Sequence, residues 1–211
     1  MADTAALNGI NGLREIRRSP ASHLTAAMEA GSVEGTVTLK EGPFQTMVGL
    51  RVDPRSEEGA RVAALAGGLP ARCGEVGGAD GVSVLWLGPS EFLVVAPEEA
   101  HDSLGGDLIG SLGAALGGAP GQVVDLSANR TTFELSGTRA RAVLEKGCSL
   151  DLHRRSFPPG TALSTEVGNI PLVLEKTGEE SFRLFPRASF ADFLGRWLLD
   201  AMREYASPEV P

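Results

Sequence analysis

Apolar residues recur at every second position in several short runs of this chain, and at every third or fourth position in the segments between. The alternation predicts strands at 36–39 and 47–52, with Gly42-Pro43 turning between them. Ser56 then caps a helix whose first turn carries Glu57 and Glu58, suited to the positive end of the helix dipole. Its apolar stripe is Val62, Leu65 and Leu69, and Gly67-Gly68 with Pro70 stops it. Strands at 82–87 and 92–95 make a hairpin about Gly88-Pro89-Ser90. Pro97 opens a second helix, again with paired acids (Glu98, Glu99), that turns Leu104, Leu108 and Leu112 inward.

The later part follows the same order. An apolar run ends at Asp125-Leu126-Ser127, a strand resumes over 131–135, and a helix over 138–146 carries Ala140, Val143 and Leu144 until Gly147 closes it. A second hairpin, 170–174 with 182–185, turns about Thr177-Gly178. The last helix, 189–205, shows a Ser189/Asp192 capping box. Its stripe is Phe190, Phe193, Leu194, Trp197, Leu198, Ala201 and Tyr205. The segments 90–94 and 180–184 share a local pattern, each reaching a proline before its helix. The expected fold is α+β, built from duplicated strand–helix–hairpin–helix units with antiparallel sheets and helices on one face. Residues 35–120 and 121–207 form the two halves, packed as one body because a four-element unit alone buries too little. Residues 1–34 are expected as an arm whose one helix face is Leu24, Ala27 and Met28, either mobile or ordered on a partner. Residues 208–211 are a tail.

Composition narrows the function classes. A formal charge of −8 opposes binding to nucleic acid or to an anionic membrane, and no apolar run approaches the roughly 20 residues needed to span a bilayer. Arg14, Arg17, Arg18 and Arg154, Arg155 are local basic clusters, read as solvated or ion-paired. Cys73 and Cys148 form no metal or redox spacing and read as free thiols of a reducing compartment. The opening MADTAALNGINGLREIRR has no charged leader before an apolar core, so the cytoplasm is the expected location.

Catalytic patterns are sparse. His23, His101 and His153 share no ligand spacing, and phosphate-binding glycine motifs and nucleophile elbows do not occur. Cys148 with His153 could be a nucleophile and base, or a packing thiol beside an exposed imidazole. Asp125 with Asn129-Arg130 could bind a ligand, or tie off a strand end as an Asx turn.

Several longer blocks carry a resemblance. They are Ser19-Pro20, PFQTMVGLRVDP at 43–54, WLGPSEFLV at 86–94, the D-L-S-A-N-R block at 125–130, GCSLDLH at 147–153 with the S-F-P-P-G that follows, and LGRWLLDAM at 194–202. In this order they resemble the gamma subunit of heterotetrameric sarcosine oxidase, and 123–152 resembles the first domain of folate-dependent aminomethyltransferase relatives. The resemblance implies a complex of alpha, beta, gamma and delta chains that oxidatively demethylates sarcosine to glycine. Hydrogen peroxide forms, with formaldehyde or methylenetetrahydrofolate. FAD, FMN and NAD would sit on or between the larger chains, zinc on delta and folate on alpha, with no cofactor on gamma. Where folate-binding relatives deliver acids to the pterin, this chain has Gly168-Asn169-Ile170-Pro171-Leu172-Val173-Leu174, so the ligand is expected to be lost. The implied role is structural and without catalytic, cofactor or metal residues. Candidate contacts to the partner subunits are Arg154, Arg155, Phe157, Trp86 and Trp197, although core packing is the plainer reading of both tryptophans, above all of Trp197 on its amphipathic helix. The alternative is a free-standing folate-binding, aminomethyltransferase-like protein.

Overall fold

The computed structural model describes residues 16–206. Among the described residues ten strands, each antiparallel to its neighbours, form one curled sheet. They are β1 (Thr38–Glu41), β2 (Gln45–Arg51), β3 (Gly74–Gly77), β4 (Ser83–Gly88), β5 (Glu91–Pro97), β6 (Gln122–Asp125), β7 (Phe133–Ser136), β8 (Thr161–Val167), β9 (Ile170–Gly178) and β10 (Ser181–Pro186). Their order is β1-β7-β10-β9-β8-β3-β4-β5-β2-β6. Each half of the chain lends a strand to the other: β1 pairs with β7, and β6 pairs with β2. The short β3 joins the two sections through β8 on one side and β4 on the other.

Alternation along the strands explains why so many read as nearly continuous apolar runs. In β5, Phe92 and Val94 face one cluster, while Leu93 and Val95 face another. In β9, Leu172 and Leu174 face outward from the curl and Val173 faces inward; in β10, Phe182 and Leu184 do the same against Phe185. Both faces are therefore buried. Met47, Leu85, Leu93, Val95, Ala162, Val173 and Phe185 form the inner layer where the two sections meet.

Helices cover the outer faces. α1 (Thr25–Ala30), α4 (Ala140–Glu145) and α5 (Ala191–Ala206) lie over one section, with α2 (Glu57–Ala66) and α3 (Leu108–Leu116) over the other. Ser56 accepts the Gly59 amide as the expected cap, and Gly67 ends α2 in the left-handed region. The buried positions of α2 are Gly59, Val62 and Ala66; Leu65, expected inward, is 49% exposed. Likewise Phe193 of α5 is 53% exposed. Asp192 does not serve a capping box but binds His23 Nε2 at 2.6 Å and Arg196 Nε at 2.9 Å. The helix expected from Pro97 is two 3-10 turns, Glu98–Ala100 and Asp102–Leu104, followed by α3. His101, extended at φ −73 and ψ 134, separates the two turns, and Gly105, at φ 92, ends the second.

The expected arm reaches further into the protein than its polarity suggests. From Ala21 the chain is core: Ala21, Leu24 and Met28 are buried, while Ala27 is exposed. Leu24 lies so close to α5 that a Cβ on Gly195 would meet its Cδ1 at 2.7 Å. Glu41 accepts from the Ala21 amide, Ser19 Oγ and Thr131 Oγ1, fixing this segment to β1. Arg17 stacks on Phe44, 4.0 Å from the ring centroid, and bonds Glu98 Oε1 at 2.6 Å. Arg14 lies outside the described residues.

Candidate functional site

The chemistry-bearing groups expected to act together from sequence bond other partners instead. Cys148 Sγ approaches Thr165 Oγ1 at 3.8 Å, while His153 Nδ1 accepts the Arg155 amide within its own loop. Asp125 Oδ1 accepts the Ser127 amide at 2.9 Å, an Asx turn. Its Oδ2 meets His101 Nε2 at 3.0 Å. Burial works to raise the Asp125 carboxyl, but the bonds from Ser127 and His101 outweigh it and hold the group below the usual carboxylate range. His101 Nδ1 accepts both the Ser103 amide, at 3.1 Å, and Ser103 Oγ, at 2.8 Å. The imidazole therefore ties a 3-10 turn to the end of β6. Its lone pair is already engaged by backbone. Among the described residues no group of three or more His, Cys, Asp or Glu could hold a metal ion, and no helix is long and apolar enough to cross a membrane.

Of the five contact candidates, Arg154 and Arg155 are exposed at a loop tip. Asp151 staples that loop by accepting the His153 amide at 3.0 Å and Ser156 Oγ at 2.6 Å. Phe157, two residues on, turns the other way. It is 1% exposed within the core that includes Leu152 and Phe182, so it offers nothing to a partner. Trp86 is half-buried beside the α2–α3 core. Trp197 is half-buried too, with its indole laid against the backbone at Gly147 and Gly168.

A groove absent from the expectations opens at the rim of the inner layer. Arg130 and Arg187 face each other across an isolated antiparallel bridge, so both side chains leave the same face. The Arg130 Nη1 donates to the Phe185 carbonyl at 2.7 Å, while its buried Nε has no acceptor. Burial, reinforced by the like charge of Arg187, lowers the Arg130 guanidinium from its ordinary value. Leu87 and Leu126, which pack against the inner layer, line the groove beside them. From sequence, Arg130 stands with Asn129 and Asp125 as a candidate ligand-binding set; Asn129 and Arg130 line the groove, whereas Asp125 does not. Arg187, 57 positions after Arg130 by the numbering, carries no local signal, because two loops must meet to make the pair.

Nearby, charges of alternating sign cross four strands. Lys40 pairs with Glu134 at 2.9 Å, Arg183 lies 3.8 Å from Glu134, and Arg183 lies 3.9 Å from Glu175. Glu175 is the deepest, 5% exposed, and its Oε2 has no hydrogen-bond partner. Burial pushes its carboxyl up, against the opposing pull of Arg183. A folded-state value above the unfolded one means that Glu175 is harmless below its unfolded pKa. Its burial costs stability as pH rises from there through the raised folded value. Glu175→Gln removes this slope. Denaturant titrations of both proteins from pH 4 to 8 are expected to show the variant's advantage growing with pH; an advantage that shrinks with pH contradicts the assignment.

Comparison with known proteins places these features in context. Residues 53–204 match the model of the sarcosine oxidase gamma subunit family. The chain is 52% identical over 197 residues to the sarcosine oxidase subunit gamma of Arthrobacter sp., covering 92% of this chain and 94% of that protein. It is 50% identical over 200 residues to the subunit gamma of Corynebacterium sp. (strain U-96), covering 93% and 95%. Among solved structures, a chain of heterotetrameric sarcosine oxidase from Corynebacterium sp. U-96, in complex with pyrrole 2-carboxylate, superposes with a TM-score of 0.85 at 50% identity. That match covers 93% of this chain and 100% of that one. Aminomethyltransferase T of the glycine cleavage system from Bartonella henselae shares the fold, with a TM-score of 0.60 at 15% identity over 85% of this chain and 49% of that one.

Proposed function

The chain belongs to the sarcosine oxidase gamma subunit family, and from that membership we propose that it fills the gamma position of a cytoplasmic heterotetramer with alpha, beta and delta chains. The observation that carries this reading is agreement over 93% of this chain with the whole of one chain of a solved heterotetramer, at a TM-score of 0.85. Its role there is to hold the flavin-bearing chains in their productive arrangement while they oxidise sarcosine. FAD, FMN and NAD belong to those chains and zinc to delta. Arg154, Arg155 and Trp86 are contacts to them. The two sheet sections are copies of one duplicated unit that have exchanged β1 and β6. A free-standing folate protein is the less favoured reading, since the aminomethyltransferase match is far weaker in sequence.

Co-expression of the four chains, with and without this one, tests the proposal. Loss of this chain is expected to lower complex yield, flavin content per complex and sarcosine turnover together. A three-chain complex that assembles, keeps its flavins and turns over at the normal rate would overturn it.

A further inference from the structure

Two clefts meet at Arg130 and Arg187. One, of about 400 Å³, runs over Gly49, Leu93 and Leu126; the other, of about 420 Å³, runs over Thr165, Val173 and Phe190. Leu87, Arg130 and Arg187 line both. The clefts are thus two arms of one groove, crossed at its middle by the guanidinium pair.

That pair is costly to the chain on its own. Like charges directly opposite across a bridge repel, and a buried N–H without an acceptor adds a desolvation cost. Among the described residues no carboxylate pairs with either guanidinium. Glu91, the acid in the groove, is already bonded to Arg51 at 3.1 Å. In a protein of net charge −8, a cationic pair flanked by aliphatic walls is complementary to a carboxylate carried between apolar groups.

We propose that the groove receives an extended acidic segment of a neighbouring chain in the oxidase, one Asp or Glu carboxylate seated between Arg130 and Arg187. The occupant is a polypeptide because the groove continues on both sides of the pair. A chain passing through fills both arms, whereas a small carboxylate fills one. This inference rests on the assembly reading above and names the surface that reading leaves open.

The test uses the full chain and its purified partner subunits. The Arg187 side chain is exposed and makes no hydrogen bond or ion pair among the described residues, so Arg187→Glu is expected to leave folding intact; Arg187→Lys keeps the charge. Arg55→Glu, elsewhere on the surface, is the control. Arg187→Glu is expected to weaken association with the other subunits roughly thirtyfold or more, the range for breaking a desolvated charge pair, and to flatten its salt dependence. Arg187→Lys should stay within about threefold of wild type, as a retained point charge would. A benzoylphenylalanine at Leu87 in the purified complex should crosslink to a partner peptide containing Asp or Glu. Wild-type association unchanged by Arg187→Glu, or a crosslink to an acid-free segment, overturns the inference while sparing the assembly reading. Failure of the wild-type chain to associate overturns both. If acetate or benzoate raises the melting temperature of wild type but not of Arg187→Glu, and association is unaffected, the ligand is a free carboxylate and the polypeptide occupant is wrong.

Discussion

Phe157→Ala is expected to destabilise the chain by about 3–5 kcal/mol, the usual cost of deleting a fully buried phenylalanine. The residue sits beside two exposed arginines, so sequence alone makes it an attractive contact to a partner. Geometry reverses that expectation. Asp151 pins the loop from within, and the Phe157 amide bonds back to the His153 carbonyl at 2.9 Å. This tight turn leaves Arg154 and Arg155 outside and aims the phenyl ring into the core. The core that holds it also holds Leu152, Val143, Leu144 and Phe182. Its loss leaves a cavity that flanking helix and strand backbones cannot collapse to fill. Denaturant unfolding of the full chain measures the effect. If Phe157→Ala unfolded like wild type and weakened only subunit association, the ring would be a contact after all. Arg154→Ala and Arg155→Ala should give the opposite result, with stability unchanged within about 0.5 kcal/mol, as exposed substitutions do.

The contrast between these neighbours shows where sequence reading holds and where it stops. Strands β2, β5, β9 and β10 are legible because β-branched and aromatic residues crowd runs bounded by Gly and Pro, and α2 because Ser56 and Gly67 mark its ends. β3 is not legible. Its sequence GEVG has one apolar residue, and its place is set by β8 and β4 closing on it from either side. The helix drawn from Pro97 fails because Gly106 is pressed against the Ala100 backbone, where a Cβ would lie 2.3 Å from the Ala100 carbonyl carbon. A turn that close needs the chain to double back, not to continue helically. Leu65 and Phe193 fail for a different reason. Helical spacing defines a stripe about 100° wide, and only tertiary contact decides which edge of it is covered. The groove was legible only at Asn129-Arg130, since the meeting of Arg130 and Arg187 depends on a bridge between segments that share no local pattern.

Trp197 presents the same ambiguity as Phe157, and a pair of substitutions resolves it. The β8–β9 hairpin turns through Gly168 and Asn169, both at positive φ, 57° and 65°, as a two-residue turn between paired strands requires. Asparagine tolerates that conformation, and glycine adopts it freely. A Cβ at Gly168 would also lie 2.8 Å from Trp197 Cδ2, and one at Gly147 would lie 2.5 Å from Cζ2. The indole is bedded on two stretches of bare backbone, which are themselves joined by the Gly168 amide donating to the Gly147 carbonyl at 3.0 Å. Gly168→Ala is therefore expected to destabilise the protein by about 2–5 kcal/mol. Roughly 1–2 kcal/mol comes from left-handed backbone strain and about 1–3 kcal/mol from overpacking against the ring. The two contributions separate in a cycle with Trp197→Ala. Removing the ring abolishes the steric part, so Gly168→Ala in that background should cost only the backbone share, and the coupling energy should equal the overpacking share. Denaturant titration of the four proteins supplies all the values. A cost that stayed the same with and without the indole would mean that the ring does not rest on the turn, and Trp197 would return to the list of surfaces available to a partner.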